Sequence, residues 1–331
     1  MKLNQLLPTV AVAALLLTST VGLAKRKHTV KIQNGLLWMD TEGRSVQAHG
    51  GNIIRHNGRW WLIGEDRSSS WNPDVNLYSS KDLQTWQFEG KVLENGVTHP
   101  ELGRTRMIER PKLMYNKTTR KFVIWCHWEA KDYSASEAGV FESDAITGPY
   151  KTIWTGRPLD TKSRDCNIFQ DIDGTAYFIS TTDENTNLGL FKLSPDYHQA
   201  ISKTLLQEGQ RREAPAIVNI DGLYYMISSA CTGWDPNQAK LTTSRSLESG
   251  WTPLENIGDR IAFDTQASSI LTIRGTQGTT YIYVGDRWMD PDLPNSKIIM
   301  LPIEFENGKM VLRWRESWTL DLKRGTWSDL T

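Results

Sequence analysis

Residues 166–180, CNIFQDIDGTAYFIS, carry the reading that decides the fold. An apolar, β-prone run breaks at Asp173-Gly174 and a second, aromatic-rich run follows. Asp-Gly between two such runs is among the strongest short-range signals for a β-hairpin. The same order of strand, tight turn and strand recurs in GGNIIRHNGRWWLIG (50–64), RPKLMYNKTTRKFVIW (110–125), APAIVNIDGLYYMIS (214–228) and SSILTIRGTQGTTYIYV (268–284). Four of the five turns contain a glycine: Gly58, Gly174, Gly222 and Gly278.

Each hairpin is followed by a further strand candidate: VNLYSS (75–80), AGVFES (138–143), LGLFKL (188–193), AKLTTS (239–244) and KIIMLP (297–302). A fourth strand often follows, as in TWQFEG (85–90). The units begin at residues 49, 109, 165, 213 and 266, a spacing that suits a four-stranded antiparallel sheet with its loops. No long helical periodicity interrupts them. Five such sheets set radially give an all-β, five-bladed β-propeller, which leaves only short, protected sheet edges. A β-sandwich is the alternative, but it does not account for five units of the same internal order.

In a propeller the first strand of each blade lines the central channel, and all first strands run the same way. Their starting residues, His49, Glu109, Asp165, Glu213 and Gln266, therefore converge on one mouth. Three carboxylates gathered there repel one another, so at least one is expected to hold its proton near neutrality, as a general acid must. Paired acids across a sugar ring are the equipment of glycoside hydrolysis. Arg110, Arg164, Arg211 and Arg212 adjoin the acids and could bind carboxylates or sugar hydroxyls. The chain has 14 Trp. Trp71, Trp128, Trp234 and Trp288 recur after or near the end of the second strand, where flat rings could wall a sugar pocket.

The remaining composition narrows the function classes. Lys plus Arg (38) balances Asp plus Glu (38), so the overall charge favours neither nucleic acid nor an anionic membrane as partner. Residues 1–24 have a basic start at Lys2, an apolar run and small residues before Ala24, the layout of a secretory signal peptide. The alternative, an uncleaved anchor, is opposed by the shortness of the apolar run and by Thr18, Ser19 and Thr20 within it. The expectation is export to the periplasm or the medium, with residues 25–331 forming a single catalytic propeller, monomeric and without membrane insertion once cleaved. Cys126, Cys166 and Cys231 fall in or at the ends of predicted strands, match no zinc spacing and read as structural thiols, although one disulfide is possible. No phosphate loop, zinc spacing or nucleophile elbow occurs, so no metal and no cofactor is expected.

In combination, HGGNII, YSSKDLQTW, ERPKLMYN, SRDCNIFQDIDGTAY, REAPAIV, CTGWDPN and TQAS resemble glycoside hydrolase family 43, and within it the branch of exo-β-1,3-galactanases. The resemblance covers nearly the whole mature chain. It implies Glu213 as general acid, Asp165 as the residue that tunes and orients it, and Glu109 as a substrate-binding acid. Many members place an Asp base at the start of the first blade; this chain has only AHGGN there. The galactanase branch also lacks that Asp, and Gln266 matches the glutamine proposed to replace it. Two roles stay open to Gln266, base through its imidic tautomer or positioner of the water, and Glu109 is a second candidate base. The implied activity is inverting removal of terminal β-1,3-linked galactose from the galactan backbone of arabinogalactan. An α-L-arabinofuranosidase or other exo-glycosidase, and a non-catalytic carbohydrate-binding propeller, are the alternatives.

Overall fold

The computed structural model describes residues 29–69, 74–94, 96 and 106–330. Five four-stranded antiparallel sheets succeed one another along the chain, each strand pairing with the next in sequence. Blade 1 comprises His49–His56, Arg59–Glu65, Val75–Ser80 and Gln87–Leu93. Blade 2 comprises Arg106–Asn116, Lys121–Ala130, Glu137–Ser143 and Lys151–Gly156. The inner strands of blades 3, 4 and 5 are Cys166–Gln170, Arg212–Ile220 and Gln266–Arg274. These five inner strands pack in a closed ring, with Gln266–Arg274 against His49–His56 completing it. The all-β propeller read from the repeats is therefore the fold.

The expectation of five sheets undercounts by one. A sixth, three-stranded sheet joins Thr29–Gln33 to Ser317–Asp321 and Thr326–Asp329. It lies outside the ring of inner strands, over the seam between blades 5 and 1. Asn34 fastens it: its amide donates to Met300 O (2.8 Å) and Arg315 O (2.8 Å) and accepts from Met300 N (2.9 Å). Trp318, fully buried, also donates to Met300 O (2.9 Å). Ser317–Asp321 and Thr326–Asp329 form a short hairpin turning at Gly325, but its third strand comes from the opposite end of the chain, so no repeat unit of the blade kind announces the sheet.

The core is divided among the blade interfaces. In the second strand of blade 1, Trp60 and Leu62 pack toward blade 5 and the terminal sheet, whereas Trp61 and Ile63 pack toward blade 2. In blade 2, Phe122, Ile124 and Cys126 face blade 1, and Val123 and Trp125 face blade 3. A strand buried on both faces loses the polar half of its alternation. That explains why RWWLIG and KFVIWC read as continuous apolar runs.

Candidate active site

The mouth is shaped by a repeated irregularity. The ladder between first and second strand shifts register just after His49, Glu109 and Glu213, and after Ala267 in blade 5. In blades 1, 2 and 4 the next residue, Gly50, Arg110 or Ala214, adopts positive φ (60°, 50° and 50°). Such bulges re-aim the neighbouring side chain, and a non-glycine at positive φ costs about 1–2 kcal/mol. At position 50 a side chain would also displace the Glu65 carboxylate. A Cβ there would stand 2.5 Å from Glu65 Oε1.

A cavity of about 340 Å³ opens at this end. Of the residues expected from the sequence, Glu109, Arg110, Arg164, Asp165, Glu213, Trp234, Gln266 and Trp288 line it. His49 does not. It is wholly buried behind Trp288 (ring centroids 5.6 Å apart), with Nδ1 3.0 Å from Asp286 Oδ1. Trp128 belongs to the apolar cluster between blades 1 and 2, with the Arg106 guanidinium 3.6 Å from its ring centroid. Trp71 lies outside the described residues. Arg212 alternates away from the cavity and donates to Ser228 O (2.5 Å), while burial brings its pKa down to about 10.

Glu213 is buried, and burial, with the Asp165 carboxylate second, pushes its pKa up to about 8 against the opposing pull of Arg110, the Cys231 thiol and Arg212. Gln266 Nε2 donates to Glu213 Oε1 (2.9 Å) and to Ser229 Oγ (3.1 Å). Gln266 Oε1 accepts from Arg110 Nη1 (3.1 Å) and Trp288 Nε1 (3.1 Å). Arg110 Nη1 also lies 3.7 Å from Asp165 Oδ2, and its Nη2 donates to Ala267 O (2.5 Å). One buried guanidinium thus ties blades 2, 3 and 5 together beneath the acids.

Glu109 has the opposite electrostatics. Burial alone would raise its pKa, but His127, Arg67 and Tyr133 outweigh it and hold the carboxyl down at about 2. Its Oε1 accepts from Tyr133 Oη (2.9 Å) and Arg67 Nη2 (3.3 Å), and its Oε2 lies 3.1 Å from His127 Nδ1. His127 Nε2 reaches Glu129 Oε2 (2.9 Å). The two carboxylates overcome the burial of His127 and lift its pKa to about 9, so it is an imidazolium at neutral pH. A carboxylate so well satisfied is a weak proton acceptor. Glu109 is suited to accept hydrogen bonds from sugar hydroxyls rather than to act as base.

Glu65, Arg67, His127, Tyr133, Asn185 and Cys231 also line the cavity and were not foreseen as site residues. The signal was available in the hairpins. Antiparallel pairing sets the end of each second strand beside the start of the first: His49 opposite Glu65, Glu109 opposite His127, Glu213 opposite Ser229, Gln266 opposite Asp286. Cys231, free like Cys126 and Cys166, lines the cavity with Glu213, its thiol donating to Asn185 O (3.7 Å), so its reading as purely structural is too narrow. Arg67 pairs with Glu65 and stacks on Trp234 and Trp288 (5.4 and 5.8 Å to the centroids). Trp234 meets Trp288 edge-on at 5.0 Å.

Beneath the floor, Lys112 plugs the channel. Its Nζ donates to Gly50 O (2.5 Å), Gly51 O (2.8 Å) and Ser268 O (2.8 Å), and burial with the adjacent Arg110 lowers its pKa to about 7. Glu109, His127 and Asp165 offer ligand atoms within 4.8 Å of one another. A metal ion there would have to displace the His127 proton that Glu109 and Glu129 hold in place.

A propeller mouth that sets a neutral carboxyl beside a second acid, a fixed carboxylate and paired tryptophans is built as a carbohydrate-cleaving centre. The family model for glycosyl hydrolases family 43 matches residues 66–290, and the chain belongs to that family; it is a glycoside hydrolase acting on saccharides. It is 38% identical to an exo-β-1,3-galactanase from Clostridium thermocellum, covering 91% of this chain and 68% of that one, with a TM-score of 0.87. An exo-β-1,3-galactanase from Phanerochaete chrysosporium, solved with β-1,3-galactotriose, is 30% identical over 91% of this chain and 71% of its own, with a TM-score of 0.85. A family 43 β-1,3-galactosidase solved with galactodeoxynojirimycin is 32% identical over 86% of this chain and 99% of its own, with a TM-score of 0.80. No curated protein matches the chain.

Proposed function

We propose that the protein is an exo-acting, inverting β-1,3-galactosidase that trims terminal galactose from the galactan backbone of arabinogalactan. The observation that carries the reading is the Glu213 carboxyl, kept neutral by burial and by Asp165 in the wall of a sugar-sized cavity. Glu213 protonates the departing oxygen, Asp165 and Arg110 set its proton affinity, and Glu109 accepts hydrogen bonds from sugar hydroxyls. Trp234 and Trp288 offer flat apolar surface to the ring. Exo action is supported by the floor: with Arg110 and Lys112 closing the channel, a saccharide enters from the mouth and presents its end. The choice of galactose is supported by the names of the three relatives above, and inversion by family resemblance.

Export is part of the proposal and rests on the sequence of residues 1–24, which lie outside the described residues. A monomer is proposed with it.

The test is to incubate the purified protein with β-1,3-galactan, aryl β-D-galactosides and aryl α-L-arabinofuranosides and to separate the products. Galactose release supports the proposal. Arabinose release replaces the substrate while keeping Glu213, and binding without turnover of any substrate turns the reading to a carbohydrate-binding propeller.

A further inference from the structure

The contacts of Gln266 fix its chemistry. Indole Nε1 and guanidinium nitrogens donate only, so the atom facing Trp288 Nε1 and Arg110 Nη1 has to be the amide oxygen. The amide nitrogen therefore faces Glu213 Oε1 and Ser229 Oγ, and both its hydrogens are spent there. Both oxygen lone pairs are taken as well. An imidic tautomer would place a proton on Oε1 between two groups that cannot accept it. The surroundings thus select the ordinary amide, and they leave no free lone pair with which to receive a proton from water.

From this we infer that Gln266 is a positioning residue for the acid: it keeps Glu213 Oε1 as a hydrogen-bond acceptor and so places the transferable proton on Oε2. The inference rests on reading Glu213 as the general acid. A neutral carboxyl has one hydroxyl oxygen and one acceptor oxygen. An N–H aimed at Oε1 assigns the acceptor, and the proton is left on the other atom.

In the reaction the anomeric C–O bond breaks, its electron pair stays on the departing oxygen, and that oxygen takes the proton from Oε2. The oxygen of water forms the new bond to the anomeric carbon. The proton that water loses passes to solvent in the open mouth, and Glu213 regains one from there, so the protons balance. As Oε2 gives up its proton, the Gln266 N–H bond to Oε1 becomes charge-assisted and strengthens, and Arg110 behind the amide favours the same change. The other groups facing Glu213 are the Asp165 carboxylate, Arg212 and the Cys231 thiol. None of them fixes which oxygen bears the proton in the way an obligate donor at 2.9 Å does.

Leaving-group dependence separates this role from that of a base. β-1,3-Galactobiose needs protonation of its departing alcohol, whereas β-D-galactosyl fluoride does not, and both need an activated water. Gln266→Ala is expected to lose about 100-fold or more in kcat on galactobiose but under about 5-fold on the fluoride, the pattern of lost acid assistance. Its KM should change little, and the basic limb of its pH profile should move. Equal losses on both substrates would overturn the inference and return Gln266 to the attacking water. Gln266→Met, matched in length, provides the same reading should the alanine variant fail to fold. Glu213→Gln measured in parallel tests the premise: it should show the same contrast, and equal losses in that variant would refute Glu213 as acid rather than the role of Gln266.

Discussion

Glu213→Gln should make the protein more stable, and only at the pH where the carboxyl is under pressure to ionise. The folded carboxyl titrates at about 8, above its usual 4.5. Below pH 4.5 it is neutral in the folded and unfolded chains alike and has no effect. Between 4.5 and 8 the unfolded chain gives up the proton while the folded chain keeps it, so stability falls as pH rises; above 8 the full penalty is present. At about 1.4 kcal/mol per pH unit this interval sets a ceiling of ~5 kcal/mol. Water entering the open mouth reduces it to a few kcal/mol. Glutamine keeps the shape and carries no charge, so it escapes the penalty. Thermal melts of both proteins from pH 4.5 to 8.5 should show equal midpoints at the acid end. At the alkaline end the variant should melt several degrees higher, since 1 kcal/mol corresponds to roughly 2–4 °C in a chain of this order of size. A difference that does not change with pH would mean that Glu213 ionises as it does in water, and the acid assignment would lose its basis.

The same carboxyl sets the alkaline limb of activity: kcat/KM of the wild type should fall as pH rises through about 8, and Glu213→Gln should lose on the order of 10²–10⁴-fold in turnover of oligosaccharide without that limb. Glu109→Gln should raise KM roughly 10- to 100-fold with unchanged circular dichroism, the worth of a hydrogen bond to a charged group, as read by steady-state kinetics. His127 should titrate at about 9 in NMR spectra. Because its folded pKa lies above the unfolded 6.5, its contribution to stability is complete below pH 6.5 and is lost as pH rises through about 9. Trp318→Ala should destabilise the fold by about 3–5 kcal/mol in chemical denaturation, since it empties a fully buried site between the terminal sheet and blade 5.

Local signals carried most of the architecture. The turns at Asn57-Gly58 and Asp221-Gly222 adopt the positive φ that those pairs favour, and the third strand read as VNLYSS is Val75–Ser80 in the structure. The terminal sheet was illegible because Thr29–Gln33 finds its partner nearly three hundred residues away, at Ser317–Asp321. At the site, strand-start polar residues were visible one by one, but the bulges that aim them are not written in any single residue type. Thus Glu109 and Glu213 turn into the cavity, while His49, at the matching position, packs behind Trp288. Trp128 shows the limit of reasoning from residue type: its strand is apolar on both faces, and the ring goes to the interface with blade 1. The opposed fates of two neighbouring carboxyls, Glu213 held neutral and Glu109 held ionised, depend on Arg67, His127 and Tyr133. Those partners come from second strands and the loops after them, not from the first strands that carry the acids.

The most direct test of the central claim is a proton NMR time course on β-1,3-galactotriose with wild type and Glu213→Gln. The account expects galactose to appear together with galactobiose from the first minutes, initially as the α-anomer, and no product from the variant within the same period. Galactose first seen as the β-anomer would contradict inversion. An unchanged rate in the variant would remove Glu213 from the chemistry.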